Sequence, residues 1–180
     1  VHGAAGGVGL TAVEIGKVLG ARVIATAGGP EKLAIAKKYG ADELIDYRTE
    51  DIRERVKALT DGAGADVVYD PVGGDFSEAT LRATAWNGRF LVVGFPAGIP
   101  KIPLNLPLLK GCQIVGVFWG ESTRRDPKGH ARNVAELFGM YERGQVKPQI
   151  SASFPLERSP EALVMIQDRK VMGKVVVTME

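Results

Sequence analysis

The 180-residue chain has very few of the residues that form disulfides and metal sites. Its only cysteine is Cys112, and its two histidines, His2 and His130, lie far apart in the sequence. A disulfide within the chain needs two cysteines, and a structural zinc site needs several thiolate or imidazole ligands. The sequence therefore excludes an intramolecular disulfide and a thiolate-rich zinc site, and it predicts a metal-free cytoplasmic protein.

Strong charge and long apolar runs are also missing. The 23 Lys and Arg residues nearly balance the 21 Asp and Glu residues, and the formal net charge is only +2. Because there is no basic run, nothing in the sequence predicts binding to nucleic acid. No apolar stretch approaches the roughly 18 residues that a transmembrane helix needs, so a membrane partner is not predicted either.

Short β-branched segments alternate with helical segments through the first half of the chain. After a helix that follows the N-terminal glycines, we predict strands at 21–27, 43–47, 65–70 and 89–95 and helices at 30–40, 49–62 and 76–88. Strands that alternate with helices of about ten residues form βαβ units with right-handed crossovers. The pattern predicts the α/β fold class with a Rossmann-type doubly wound parallel sheet.

A proline-rich segment interrupts this alternation. Four prolines lie in the range Pro96–Gly111, and we expect an irregular connection there without a helix or a central strand. A predicted strand at 112–120 and a predicted helix that ends at Gly144 follow. The remaining segment, from 147 onward, predicts a strand, a helix and a strand, with Ser159 as the N-cap of that helix.

Three glycines near the start carry the strongest functional signal. Gly3, Gly6 and Gly9 have G-x-x-G-x-x-G spacing, and they open a helix that is followed by a strand. Glycines allow a sharp turn from strand to helix, and they allow an anion to approach the backbone N–H groups at the positive end of the helix dipole. The turn therefore predicts binding of a dinucleotide diphosphate.

The end of the next strand bears on the choice of cofactor. Proteins that prefer NAD place an acidic residue there, which bonds the ribose hydroxyls and repels a 2′-phosphate. Here Ala27, Gly28 and Gly29 are uncharged. Glu31 fits the first turn of the following helix, where acids are favoured, and Lys32 can reach the same site. This arrangement favours NADPH over NADH.

Several motifs, taken in order, resemble one enzyme family. The chain is similar to the zinc-free quinone oxidoreductase branch of the medium-chain dehydrogenase/reductase superfamily in the motifs AAGGVG, VIATAGGPEKLAIAKKYGAD, DVVYDPVGG, GRFLVVGF and LKGCQIVGVFWG. The resemblance implies a two-domain enzyme in which a Rossmann domain is inserted into a GroES-like catalytic domain. On this basis residues 1–146 are the NADPH-binding Rossmann domain, with its first strand truncated. Residues 147–180 are then a C-terminal remnant of the catalytic domain.

The same resemblance implies a set of cofactor-binding residues. It places the diphosphate turn at Gly6, Gly7, Val8 and Gly9, and a 2′-phosphate pocket at Gly28, Lys32 and Tyr47. Further contacts are expected from Val72 on the adenosine side, from the loop at Gly94 and Phe95, and from Phe118 and Trp119 beside the nicotinamide. For Tyr47, Phe118 and Trp119, packing in the core is the alternative. No catalytic acid or base and no metal ligand is assigned, and Arg124, Arg125 and His130 are expected at the surface.

The implied reaction is hydride transfer from NADPH to a quinone or an α,β-unsaturated carbonyl, in which the nicotinamide carries the chemistry and the protein positions it. Two alternatives stay open: an enoyl-thioester reductase module of a polyketide or fatty-acid synthase, and a non-catalytic dinucleotide-binding or dimerisation domain. The resemblance also implies a homodimer formed through the Ile114–Trp119 strand. The strand at Val175–Val177 is expected to find its partners mostly in the catalytic domain. In this chain the tail from about Gln149 is therefore expected either to be less well packed than the rest or to find a substitute partner.

Overall fold

The structure is a computed structural model that describes residues 1–179. Its strands are β1 (Ile24–Ala27), β2 (Glu43–Asp46), β3 (Ala65–Asp70), β4 (Thr84–Val92), β5 (Gln113–Gly116), β6 (Ile150–Pro155) and β7 (Lys174–Thr178). Its helices are α1 (Gly9–Val18), α2 (Pro30–Lys38), α3 (Ile52–Leu59), α4 (Phe76–Arg82), α5 (Asn105–Lys110), α6 (Trp119–Arg125), α7 (Pro127–Glu142) and α8 (Ser159–Gln167). Within the described residues, none of these helices is long and apolar enough to cross a bilayer.

The main sheet is parallel and is completed by the first residues of the chain. β1 pairs with β2, while β3, β4 and β5 form a second parallel group. Residues 1–4 lie between the two groups, because Thr26 N donates to Val1 O at 2.9 Å and His2 N donates to Tyr69 O at 3.0 Å. The spatial order β2, β1, residues 1–4, β3, β4, β5 is that of a doubly wound dinucleotide-binding sheet. The predicted fold class is confirmed.

Helix boundaries follow local signals in the sequence. Pro30 begins α2, where its missing N–H costs no hydrogen bond. The Asp51 carboxylate accepts from Glu54 N at 2.8 Å and caps α3, and Asp126 accepts from Gly129 N at the same distance and caps α7. These caps set where each helix starts. α7 ends at Glu142, which confirms the predicted helix that ends at Gly144 to within two residues.

Three small apolar clusters hold helices against the sheet. Val13 of α1 packs with Ala25 of β1, and Val56 of α3 packs with Ile45 of β2. The third cluster joins Leu81 of α4 to neighbouring strands and the adjacent loop. Because the strands are parallel, this packing brings the loops after β1, β2, β3 and β4 to one edge of the sheet, where ligands bind in such folds.

The prediction of no helix in the proline-rich segment is wrong. Residues 105–110 form α5, and Pro107 lies in its first turn. The first N–H groups of a helix have no intrahelical partner, so a proline there removes no hydrogen bond. Gly111, in the left-handed conformation with φ at +55°, ends the helix.

The predicted helix at 76–88 is too long. α4 ends at Arg82, and β4 begins at Thr84. The Asn87–Gly88 pair therefore lies within a strand, where the register with β3 shifts between Ala65 and Val67. Asn87 takes the left-handed conformation with φ at +60°, so the pair forms an irregularity in β4 and does not end a helix.

Two predicted boundaries near β5 and α8 also change. β5 ends at Gly116, and Trp119 begins α6, whose Glu121 pairs with Arg124 and Arg125 one turn later. Ser159 is the first residue of α8 and makes no capping hydrogen bond, because a 3-10 turn at Leu156–Arg158 leads directly into the helix.

The C-terminal tail pairs with itself, so its last strand finds the substitute partner that the expectation allowed. β7 runs parallel to β6, with Val175, Val176 and Val177 opposite Ala152, Ser153 and Phe154. β6 can pair with β7 because the connecting helix α8 crosses over and returns the chain to the side of β6. Large side chains of α8 stay exposed, among them Leu163 and Ile166. The domain boundary at 146 stays a prediction.

Candidate functional site

The glycine turn is a tight bend that excludes side chains. Gly3 has a left-handed φ of +58°, and its carbonyl oxygen accepts from Gly6 N at 2.9 Å. A Cβ atom on Gly9 would lie 2.7 Å from the carbonyl carbon of Gly3, so no other residue fits there. Within the described chain, no side chain caps the N-terminus of α1. Its backbone N–H groups are therefore available to an anion.

The buried imidazole of His2, only 4% exposed, ties this bend to its neighbours. Its Nε2 lies 2.7 Å from Thr80 Oγ1, and its Nδ1 lies 2.8 Å from Thr26 Oγ1. Thr80 donates its proton to Phe76 O at 2.7 Å, so Nε2–H donates to Thr80 and Nδ1 accepts from Thr26. Burial lowers the pKa of His2 to about 4, although the nearby Asp70 carboxylate acts in the opposite direction. The neutral ring fixes the bend against β1 and α4, a role that the sequence did not suggest.

A second buried group, the Asp70 carboxylate, shapes the turn after β3. It is 3% exposed, and its Oδ1 accepts from Val72 N and Gly73 N, each at 2.9 Å. Its Oδ2 accepts from Ser77 Oγ at 2.6 Å. These bonds hold Val72 so that its Cγ2 would lie 3.0 Å from a Cβ atom on Gly3. The turn after β3 therefore faces the glycine turn directly.

The end of β1 is covered by an aromatic and a basic side chain. The Tyr47 hydroxyl would lie 2.7 Å from a Cβ atom on Gly28, so this position needs glycine. Tyr47 is half-buried, and its ring centroid lies 4.8 Å from that of Phe76. The ring of Tyr47 therefore packs in the core, while its hydroxyl reaches the site. Lys32 Nζ donates to Arg169 O at 3.3 Å, which joins α2 to the tail.

The carboxylate nearest this end, Asp46, is already engaged. It accepts from the Arg48 backbone N–H at 3.1 Å, and its carboxylate also lies 3.4 Å from the Arg48 guanidinium. These bonds, with a further one from Gly29 N, hold the pKa of Asp46 below its usual range. The Arg48 guanidinium in turn lies against Gly29, so the negative charge of Asp46 is compensated locally.

These elements enclose a cleft of about 560 Å³. Of the residues predicted to bind the cofactor, those that line it are Gly6, Gly7, Val8, Gly9, Gly28, Lys32, Tyr47 and Val72. No Asp or Glu side chain of the described residues lines it, whereas Lys32, Arg169 and Lys174 do. None of these three cations forms an ion pair within residues 1–179. The cleft therefore suits a polyanion.

The tail side of the cleft was missed by sequence reasoning. Ile166, Arg169, Val171, Gly173, Lys174 and Val175 all line it. Nothing in the local sequence of the tail indicates a ligand site. These residues approach the glycine turn only because α8 connects β6 to β7 and returns the chain to this part of the molecule. The single sequence signal is the basic character of 169–174, which is unremarkable by itself.

Four of the predicted site residues do not line the cleft. Gly94 and Phe95 follow β4 just outside it, and Phe95 contacts the turn at Gly73. Phe118 and Trp119 are 75% and 69% exposed at the start of α6, because β5 ends before them. The alternative of core packing is therefore wrong for these two aromatic residues, and their contact with the nicotinamide stays a prediction.

The basic residues near α6 and α7 lie where they were expected. Arg124 and Arg125 are exposed and pair with Glu121 on the same helix. His130 lies at the surface half-buried, with its ring edge against Trp119 at a centroid distance of 5.7 Å. Among residues 1–179, no group of three or more His, Cys, Asp or Glu side chains is placed to hold a metal ion.

Comparison with protein-family models bears directly on this cleft. The model described as zinc-binding dehydrogenase matches residues 7–136, which run from the glycine turn through most of α7. The chain belongs to the zinc-binding dehydrogenase family. Within this family, its similarity to quinone oxidoreductases confirms the resemblance to that branch of the medium-chain dehydrogenase/reductase superfamily.

Known family members cover nearly the whole chain. A quinone oxidoreductase-like protein 2 homologue of Nematostella vectensis is 44% identical over 98% of this chain and 49% of its own length. A quinone oxidoreductase of Pseudomonas syringae has 33% identity and a TM-score of 0.87 over 98% of this chain and 55% of its own. The Escherichia coli quinone oxidoreductase complexed with NADPH has 33% identity and a TM-score of 0.85 over 98% and 56%. The chain spans about half the length of the curated relatives it matches.

Proposed function

We propose that this chain is the cofactor-binding portion of an NADPH-dependent quinone oxidoreductase that reduces a quinone or an α,β-unsaturated carbonyl. The observation that carries the proposal is the cleft itself. It combines a glycine turn that excludes side chains with three cations that no carboxylate of the described residues neutralises. NADPH carries a diphosphate and a 2′-phosphate, so its charge complements that of the cleft. The relatives' named activity and the NADPH complex of the Escherichia coli enzyme support the same choice.

The cleft residues divide into two ends, each suited to one part of the cofactor. The turn at Gly6, Gly7, Val8 and Gly9 would hold the diphosphate at the N-terminus of α1. The backbone N–H groups of Gly7, Val8 and Gly9 would donate to it, because Gly6 N already donates to Gly3 O. Gly28, Lys32 and Tyr47 would hold the 2′-phosphate. A lysine and a phenol donate hydrogen bonds to a phosphate, and an acidic residue, which would repel it, is absent from the described lining. Val72, fixed by Asp70, would pack against the adenosine side.

Bound NADPH would supply the hydride, so the protein has little chemistry to perform itself. The turns described above would orient the dinucleotide and exclude water from the face that lies against the partly apolar walls of the cleft. We assign no catalytic acid or base to the described residues. The proposal rests on positioning and on charge, which makes cofactor discrimination its sharpest test.

Isothermal titration of the protein with NADPH and then NADH tests the cofactor assignment. NADPH is expected to bind at least tenfold more tightly, since one charge-assisted hydrogen bond contributes about 1.5–3 kcal/mol. Equal affinities, or tighter binding of NADH, would contradict the role of Lys32. NADPH oxidation with a benzoquinone, an enone and an enoyl thioester as parallel acceptors then tests the reaction. The assay uses this chain with and without the N-terminal catalytic domain restored, because this chain by itself is expected to be inactive if that domain forms much of the substrate cleft. Cofactor binding by the complete protein without turnover of any acceptor would favour the non-catalytic alternative.

The proposed quaternary structure is a homodimer that joins two copies of β5. This strand is hydrogen-bonded only to β4 among the described residues, so its outer edge is open. Ile114 is 41% exposed on it, and the exposed rings of Phe118 and Trp119 follow directly. An open apolar edge strand pairs readily with a second chain. If a two-fold axis related two copies of β5 edge to edge, the sheet would continue into the partner and these side chains would be covered.

A further inference from the structure

A second cavity lies outside the cofactor cleft, in a groove lined by α1 and α7. It has a volume of about 540 Å³ and shares no lining residue with the cleft. α7 supplies Val134, Leu137, Phe138 and Tyr141 to its wall. These four residues are spaced so that they form one apolar stripe along the helix. Phe138 is 64% exposed and Tyr141 is exposed too, so the described residues leave the stripe uncovered.

The carboxylate of Glu14, on α1, lines the same groove and is only 7% exposed. Its Oε1 accepts from Lys147 N at 2.7 Å, at the predicted boundary between the two domains. Among residues 1–179, no group donates to its Oε2, although that atom is shielded from solvent. A buried carboxylate oxygen without a donor costs more free energy than a neutral group would in the same place. The groove therefore lacks one hydrogen-bond donor as well as an apolar cover.

The chemistry of the groove and the length of the chain indicate what covers it. A furrow lined by two helices accepts the side-chain ridges of a third helix. That helix needs an apolar face toward Phe138 and one donor at the level of Glu14, whereas a purely apolar ligand would leave Oε2 without a partner. The chain spans about half the length of the curated relatives it matches, so a protein of their length has the residues to supply such a helix.

We propose that this groove docks an amphipathic helix from the N-terminal part of the complete protein, and that a donor on that helix binds Glu14 Oε2. The donor is a hydroxyl, an amide, an ammonium or a guanidinium. Glu14 then holds two segments at once, because its Oε1 fixes the start of the tail and its Oε2 fixes the docked helix. The inference goes beyond the proposed function and does not depend on which cofactor binds.

Thiol labelling tests whether the groove is covered. Phe138→Cys, made in a Cys112→Ser background, is compared in this chain and in the complete protein with the N-terminal catalytic domain restored. Labelling should be about tenfold slower or more in the complete protein, because the docked helix must detach before the thiol reacts. Glu136→Cys is the matched control: it is exposed on the opposite side of α7 and should react at one rate in both proteins.

Tyr141→Cys repeats the measurement at a second position of the stripe, in case the change at Phe138 itself weakens docking. Equal labelling rates in the two proteins at both positions would show that the groove stays open, and the proposal would be wrong. Labelling of this chain by itself that slows as its concentration rises would assign the groove to a second copy and would also overturn the proposal. Thermal melting establishes that each variant folds.

Glu14→Gln tests the hydrogen bond to Oε2. Glutamine keeps one oxygen for Lys147 N and replaces Oε2 by an NH₂ group, which cannot accept. The melting temperature of the complete protein should fall by about 3 °C or more, since a buried hydrogen bond to a charged group is lost. This chain by itself should melt no lower, because no donor to Oε2 exists within residues 1–179.

Glu136→Gln controls for the change in charge, because Glu136 is exposed on the same protein and outside the groove. It should leave both melting temperatures unchanged. An equal shift for Glu14→Gln in this chain and in the complete protein, or no shift in either, would contradict the role of Glu14. Neither experiment needs NADPH, so failure of the cofactor titrations would leave this inference standing, and its own failure would leave the proposed function standing.

Discussion

The buried imidazole of His2 predicts a specific sensitivity of folding to acid. The folded protein disfavours protonation, because burial lowers the pKa of His2 from 6.5 to about 4. An unfolded chain takes up that proton near its ordinary pKa. Stability from this group is therefore complete above pH 6.5 and is lost as the pH falls toward 4. Integrated over that range, the loss in the free energy of unfolding is about 3 kcal/mol.

Urea unfolding followed by circular dichroism measures this loss near neutral pH and near pH 4, for the unaltered protein and for His2→Asn. The variant lacks the titrating ring, so its free energy of unfolding should fall by about 3 kcal/mol less across the same range. At neutral pH it should itself be destabilised by about 1–3 kcal/mol, since the hydroxyls of Thr26 and Thr80 lose a partner.

Comparison of the two proteins removes other acid-sensitive groups from the result. Those groups are present in both proteins. The difference between their pH dependences therefore isolates the imidazole. Identical losses in the two proteins would show that His2 is not held neutral, and the assignment of its tautomer and of its role in fixing the glycine turn would be wrong.

Three further substitutions test the site and the interface. Gly9→Ala should destabilise the fold by more than about 2 kcal/mol and abolish NADPH binding, because its Cβ would strike the Gly3 carbonyl. Gly116→Ala is the control: its Cβ would meet open space, so this variant should fold normally in thermal melts. Lys32→Met should lower the preference for NADPH over NADH in titrations about tenfold, and an unchanged ratio would refute a 2′-phosphate contact. Ile114→Asp should convert the proposed dimer into a monomer, as measured by sedimentation. A variant that stays dimeric would show that β5 is not the interface.

Prediction from sequence succeeded where the signal was local. The alternation of strands and helices, the start of α2 at Pro30 and the glycine turn all depend on residues within a few positions of one another. It failed at α5 and β4, where a familiar signal for an irregular segment or a helix end has a second structural meaning. Pro107 lies in the first turn of α5, where a proline is tolerated. Asn87 forms a bulge within β4, at the point where the register between β4 and β3 shifts. The core packing considered for Phe118 and Trp119 also failed, because β5 ends before them and both side chains are exposed.

By itself the sequence determined the class of fold and the kind of ligand that the glycine turn suits, because backbone turns, helix starts and periodicity are short-range properties of the chain. Tertiary structure alone decided which charges share the cleft. Lys174 reaches Gly7 from the far end of the chain through a bridge between two glycines, and His2 finds both its partners on separate elements. Such meetings depend on packing of the whole sheet and its crossovers, which no local pattern encodes.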